Sequence, residues 1–266
     1  MYKYLGNTEI LMYDIINTFC AVAAILTNLA DFKKKSVFLS NTSQRIINKT
    51  KIKYANSFLS NPKTFTIIEI LIISMAQCIL TPFLNSKFGH LLSTGANYFA
   101  TMYVYPFLLL IFFYIIKIAP LKQLDMITPA FVASLFFAKI ACFCAGCCNG
   151  IEWGHTFYNI KTERYEFPIQ LIEAALALFI FIFLLWYRKK AKEGTMFPIY
   201  LILYSGTRFF SEFLSADPNV LWIFKTYHLL CIAGVILGIA ELILVQKYKD
   251  KINKFYEPKK KARIKF

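Results

Sequence analysis

Apolar residues along this chain fall into stretches of about 20, separated by short polar and basic connections. Each stretch is long enough for a helix to cross roughly 30 Å of hydrocarbon. The stretches predict spans over 9–30, 65–85, 98–117, 126–149, 169–187, 196–214 and 228–247. The fold class is therefore all-α, a polytopic integral membrane protein of about seven transmembrane helices. The first span carries Asp14, and the second carries Glu69 with Pro82 near its end. With Lys3 as its only preceding basic residue and no small-x-small cleavage pattern, the first span reads as a retained helix rather than a cleaved signal. Residues 1–266 form one transmembrane domain, with basic connections at 33–64 and a basic tail at 248–266.

Composition agrees, with 58% hydrophobic residues and a mean hydropathy of +0.51. The formal charge of +15 raises the possibility of a nucleic-acid partner, but its distribution argues for membrane topology. Alternate connections hold eight Lys/Arg in 31–64, two in 117–125, four in 188–193 and nine in 247–266. The other side holds Lys3, Lys87, Lys161, Arg164 and Lys225. The positive-inside rule then places the C-terminus in the cytoplasm and, after seven crossings, the N-terminus outside. The basic tail faces anionic membrane lipids, and no nucleic acid is expected. The stretch 33–64 has room for a short amphipathic helix on the membrane surface.

Ionisable residues within the spans are the candidate chemistry, because a charge in hydrocarbon is costly and tends to be functional or paired. Lys139 sits past the middle of the fourth span, and Cys142, Gly146 and Asn149 continue its stripe at helical spacing. Gln170 and Glu173 lie in the outer half of the fifth span. Arg208 and Glu212, four apart on the sixth, share a face in its outer half. Three helices thus bring polar groups to one depth, which points to an outward-facing cavity for a charged lipid headgroup.

The motif Cys142-x-Cys144-x-x-Cys147-Cys148 has three readings. It is apolar packing, a disulfide involving Cys231, or a metal or redox site. On a continuous helix Cys144, Cys147 and Cys148 share a face that Cys142 does not. Packing is therefore preferred, no metal ligands are assigned and no cofactor is expected. Gly146, Gly150 and Gly154, at four-residue spacing, would let a neighbouring helix come close. His155 and His228 read as interfacial, and His90 as an outer-loop residue. The connection 150–168 mixes Trp153, Phe157, Tyr158 and Tyr165 with charges, as headgroup-level anchors do.

Three blocks carry a family resemblance: DMITPAFVASLFFAKIACFCAGCCNG at 125–150, EFPIQLIE at 166–173 and GTRFFSEFLSADP at 206–218. Over roughly 97–247 the chain resembles the prolipoprotein diacylglyceryl transferase family. It is most similar to a divergent branch with a Cys-Phe-x-Ala-Gly-Cys-Cys-x-Gly element. Asp125, Pro129, Cys142, Phe143, Ala145, Gly146, Cys147, Cys148 and Gly150 fall in register. Pro168, Gln170, Leu171 and Glu173 match the family's His-Pro-x-Gln-Leu-Tyr-Glu element. Gly206, Arg208, Phe209, Glu212 and Phe213 match its Gly-x-x-Arg-Phe-x-x-Glu-Phe element, with one residue fewer between Gly and Arg. Three positions depart: Phe99 stands where the family has a histidine, Lys139 replaces the signature arginine, and Cys147 falls where the more typical members, unlike the divergent branch, have an acidic residue.

The resemblance implies a multi-pass bacterial plasma-membrane enzyme of lipoprotein biosynthesis. Its partners would be phosphatidylglycerol and a prolipoprotein signal peptide whose lipobox cysteine accepts the diacylglyceryl group, with glycerol 1-phosphate as the leaving group. Arg208 and Lys139 would bind the lipid phosphate, with Gln170, Cys142, Gly146 and Gly150 completing the substrate site. Glu212 or Glu173 would serve as catalytic base, or the cationic pair would acidify the acceptor thiol. Two other readings remain open. One is a divergent member with another acceptor or a non-catalytic lipid-binding role; the other is a redox or metal-handling membrane protein.

Overall fold

The computed structural model describes residue 103 and residues 120–154, 157–159 and 162–256. Apart from Tyr103, the three expected spans before residue 120 lie outside these residues, as do Asp14, Glu69, His90, Phe99, His155 and the connection 33–64. The described part is mostly helical. Helix α1 is Pro120–Cys144, α2 is Ile169–Tyr187, α3 is Met196–Ser211, followed by a 3-10 turn over Glu212–Leu214, and α4 is Thr226–Tyr256. Short antiparallel hairpins close the α1–α2 and α3–α4 connections: β1 (Tyr158–Asn159) with β2 (Arg164–Tyr165), and β3 (Asn219–Leu221) with β4 (Phe224–Lys225).

The apolar pattern is inverted relative to a water-soluble bundle. In α2 the buried stripe contains Gln170 and Glu173 among Ile169, Ala174, Ala177, Ile180 and Leu184. Its other face exposes Phe179, Ile182, Leu185 and Trp186. Helix α4 likewise exposes Ile236, Ile239, Ile243 and Leu244. Polar groups inside and a belt of apolar side chains outside suit hydrocarbon as the surrounding solvent. Ile127–Cys144, Ile169–Tyr187 and Thr226–Ile252 are each long and apolar enough to cross it.

The core joins Leu124, Ile127, Phe131 and Leu135 of α1 to Ile180 and Leu184 of α2, Tyr200, Leu201 and Tyr204 of α3, and Tyr227 and Cys231 of α4. Glycines on α4 let α3 approach closely. A Cβ at Gly234 would collide with the Ser205 hydroxyl, and one at Gly238 would lie 2.7 Å from Ile202 Cγ1.

The expected spans 169–187 and 196–214 coincide with α2 and with α3 plus its 3-10 turn. The expected span 126–149 ends early, at Cys144. The cause is a Schellman stop at Gly146, whose φ is +61°. The Gly146 N–H donates to the Phe143 carbonyl at 3.2 Å and the Cys147 N–H to that of Cys142 at 3.1 Å. Gly146 and Asn149 therefore lie beyond the helix, not on a helical stripe with Lys139. Gly150 and Gly154 are also non-helical, so the glycine spacing is no helix-packing surface. Gly150 instead bridges to Ser215, where a Cβ would strike the Phe167 carbonyl.

At the opposite end of the helices, Asp125 holds the turn that starts α3. Its carboxylate accepts the N–H of Gly194 at 2.5 Å and of Met196 at 2.9 Å. These are orphan donors of a helix N-terminus, which Thr195 does not cap with its own side chain. Burial pushes the Asp125 carboxyl up to about 7 despite these two donors. The folded state therefore keeps a proton that the unfolded chain releases near pH ~4, and that contribution is lost as pH rises through about 7. Asp125→Ala is expected to cost about 1–3 kcal/mol through two unpaired donors. In thermal denaturation, the lead of wild type over Asp125→Asn should be largest at acidic pH and shrink toward pH ~7; a lead independent of pH would contradict this assignment.

Candidate functional site

The helices run alternately up and down, so the C-terminal ends of α1 and α3 meet the N-terminal ends of α2 and α4. At that end lies a buried chain of charges contributed by three helices. Lys139 Nζ of α1 lies 2.5 Å from Glu173 Oε2 of α2. The other oxygen of Glu173 pairs with Arg208 of α3. Arg208 in turn reaches Glu212, one turn further on, at 2.5 Å. The side chains of Glu173 and Glu212 are 6% and 0% exposed, so these pairs are shielded from solvent. Two cations and two carboxylates balance. Ser211 adds its hydroxyl to Glu173 at 3.4 Å, and the Arg208 guanidinium lies 5.5 Å from the centre of the Tyr227 ring.

The two carboxylates differ in environment. Glu173 is bracketed by two cations, Lys139 and Arg208. Among the described residues Glu212 makes its ion pair with Arg208, and its Oε1 is buried without a hydrogen bond. Lys225 sits beside it as a backbone clamp. Its ammonium donates to the carbonyls of Glu212 at 2.8 Å and Ser215 at 2.5 Å, at the negative end of the α3 dipole. Its burial lowers the Lys225 pKa.

The connection between α1 and α2 folds over this end. Its backbone joins the segment after α3, with Ile151 N–H to Leu214 at 2.9 Å and Ala216 N–H to Asn149 at 2.8 Å. Gln170 donates to the Cys147 carbonyl at 2.7 Å, so it fixes the cysteine loop rather than joining the charged chain. Beneath the loop lies a cavity of about 180 Å³, lined in part by Phe143, Gly146, Phe157, Asn159, Glu166 and Gln170. Asn159 and Thr162 donate to the two oxygens of buried Glu166 at 2.9 and 2.6 Å. Trp153, Tyr158 and Tyr165 are exposed at the same end, in keeping with headgroup-level anchors.

The sequence-derived residues Lys139, Glu173, Arg208 and Glu212 are thus brought together, and Cys142 lies near Lys139. Gly146 lines the cavity and Gly150 serves backbone packing. Two cysteine expectations change. Because the helix stops at Cys144, the sulfurs of Cys142, Cys147 and Cys148 gather within 4.8 Å of one another instead of diverging. Cys231 is a free thiol within the core rather than a disulfide partner. His228 is fully buried. Its Nδ1 accepts the Lys225 N–H at 3.0 Å, and the rings of Phe209, Phe213 and Phe224 surround it at 4.9, 4.3 and 5.4 Å. Lys225, Glu166 and Asn159 were not singled out from sequence. Their partners lie in backbone or loop positions that no periodicity marks.

A mostly helical, multi-pass membrane protein with a buried, balanced charge cluster at one end of its helices is the class that this geometry defines. A family profile described as prolipoprotein diacylglyceryl transferase matches residues 64–244, and the chain belongs to that family. It is 34% identical over 129 residues to a phosphatidylglycerol–prolipoprotein diacylglyceryl transferase of Clostridium tetani, covering 45% of this chain and 51% of the relative. A second such transferase, from Clostridium perfringens, is 34% identical over 107 residues, covering 37% and 42%. The transferase of Campylobacter hominis is 27% identical over 242 residues, covering 80% and 84%. In the two clostridial matches the chain spans about half or less of the relative's length. No solved structure matches the chain.

Removing one member of the charge chain leaves an uncompensated buried charge. Glu173→Gln and Lys139→Met should each lower stability by about 3–5 kcal/mol. The double variant should be less destabilised than the sum of the two, by about 1–3 kcal/mol, in a thermal or denaturant cycle. Strict additivity would show that the pair is not coupled.

Proposed function

We propose that this chain transfers the diacylglyceryl group of phosphatidylglycerol to the lipobox cysteine thiol of a prolipoprotein, at the outer face of a bacterial plasma membrane. The observation that carries this reading is the meeting of Arg208 and Lys139 with Glu212 at one end of the helices, on a chain belonging to the transferase family. Relatives carrying the transferase name support the same reaction. Seven spans, an outside N-terminus and a cytoplasmic C-terminus complete the proposal. The basic connection 33–64 and the tail 248–266 then face cytoplasmic lipid headgroups, and the charge cluster lies in the outer half of the membrane.

In this reaction the acceptor thiol loses its proton, a sulfur–carbon bond forms at the glyceryl carbon, and the carbon–oxygen bond to phosphate breaks. Glycerol 1-phosphate leaves with more negative charge than the phosphodiester carried. Arg208 and Lys139 stabilise that developing charge, which is worth more in a shielded site than in water. Binding of the lipid phosphate competes with Glu173 and Glu212 for the same cations, which loosens the resting ion pairs. Glu212, whose Oε1 has no hydrogen-bond partner among the described residues, is the proton acceptor in this reading. Glu173 keeps Lys139 and Arg208 in place. Gln170 and Gly146 shape the wall beside the charge chain.

The test is expression in a bacterium depleted of its own transferase, with a reporter prolipoprotein weighed by mass spectrometry. The reporter should gain a diacylglyceryl mass, and Arg208→Ala should abolish the gain. Glu212→Gln should lower kcat by about 100-fold or more with KM for the lipid little changed. An unmodified reporter in the presence of folded, inserted protein would favour a divergent member with another acceptor, a reading to which the Phe99 and Lys139 departures lend support.

A further inference from the structure

We propose that Cys142, Cys147 and Cys148 form a binding site for one thiophilic metal ion of the zinc, cadmium or copper(I) class, independent of the transferase reading. The backbone builds this site from a helix stop. In a Schellman motif the third residue from the helix end and the residue after the left-handed glycine are brought side by side. Here those two positions are Cys142 and Cys147, joined by the Cys147 N–H bond to the Cys142 carbonyl at 3.1 Å. Cys148 adopts φ +59°, a conformation rare for a residue with a side chain, and its sulfur joins the other two.

The three sulfurs lie within 4.8 Å of one another. Zinc–sulfur bonds of ~2.3 Å in tetrahedral geometry place sulfurs about 3.8 Å apart, so at most a small inward adjustment supplies three of the four ligands and leaves the fourth position to water. Soft thiolate donors select this class of ion over magnesium or calcium. Each thiol gives up its proton to solvent as its sulfur–metal bond forms. Three thiolates around a divalent ion carry one net negative charge, and Lys139, one helical turn before Cys142 on the same face of α1, offsets it. The ion pair of Lys139 with Glu173 leaves the ammonium further N–H donors for that charge. All three cysteines are half-buried, so an ion can reach them. Two side chains brace the loop from behind: Gln170 on the Cys147 carbonyl, and Asn159 on that of Gly146 at 3.3 Å. Cys144 is not among the three, and Cys231 is buried elsewhere in the core.

The experiment titrates the full chain, reduced and metal-free in detergent, with cadmium(II) and follows the sulfur-to-cadmium charge-transfer absorption. One equivalent should bind, and Cys147→Ser should weaken binding by on the order of 100-fold or more, since even second-shell changes cost 10–100-fold. Cys144→Ser and Cys231→Ser should leave it unchanged. A measurement on wild-type protein covers the case in which a variant fails to fold: cadmium(II) should protect Cys142, Cys147 and Cys148, mapped by mass spectrometry, from alkylation. Equal alkylation with and without cadmium(II), or binding that survives Cys147→Ser, would overturn the proposal. A Cys142–Cys147 disulfide in protein isolated without added oxidant would also overturn it.

Discussion

The ion-pair chain Lys139–Glu173–Arg208–Glu212 is the constraint on which the arrangement of these helices depends. Each of its charges would be costly to hold alone in a low-dielectric interior, and together they are tolerated because the signs alternate and the count balances. That requirement fixes relative geometry. Helix α1 must present Lys139 at the level where α2 presents Glu173, and α3 must present Arg208 between two carboxylates. A sliding of any helix by one turn would strand a charge. Dispersion and the close glycine contacts of α4 hold the remainder, but they are far less particular about register.

Two ends of the bundle are secured by different chemistry. At the end bearing Asp125, one carboxylate of α1 ties down the start of α3 through two backbone N–H groups. At the other, Lys225 gathers the carbonyls at the close of α3, and the loop after α1 pairs its backbone with the segment after Leu214. Both devices satisfy polar backbone that would otherwise be unpaired at a helix terminus. They leave the charged chain, beside the Lys225 clamp, as the polar centre from which a ligand phosphate could draw cations.

Much of this was legible in the sequence because it is periodic. The limits of α2 follow from an apolar run bounded by Pro168 and Arg188, and the i, i+4 relation of Arg208 and Glu212 is a property of any helix. The meeting of Lys139, Glu173 and Arg208 was readable from their similar depth in adjacent spans. What periodicity could not reveal was a break within an apolar run. Residues 145–148, Ala-Gly-Cys-Cys, carry no charged or strongly polar side chain, so hydropathy continued the span while Gly146 ended it. Reading Gly146 as a helix stop would have placed Cys142 beside Cys147. Asp125, Lys225 and Glu166 were unreadable as contacts for a different reason: their partners are backbone groups or loop side chains, set by tertiary packing.

Two of the departures from the family pattern, Lys139 and Cys147, fall close together in space, and that juxtaposition bears on what they do. Where the more typical members of the family resembled carry an arginine and an acidic residue, this chain has Lys139 and Cys147. Replacing arginine by lysine keeps the charge and the pairing with Glu173, but gives up the planar fork that grips two oxygens at once. Replacing the acid by cysteine removes a permanent negative charge near that cation. In its place stand three thiols whose charge depends on ligation. With the thiols protonated, Lys139 answers chiefly to Glu173, and Arg208 is left as the more constrained cation between two carboxylates. With the thiols bound as thiolates, a negative charge returns to the neighbourhood of the position the acid would have held. The electrostatics beside Lys139 are then set by the occupancy of the cysteine loop rather than by a fixed carboxylate.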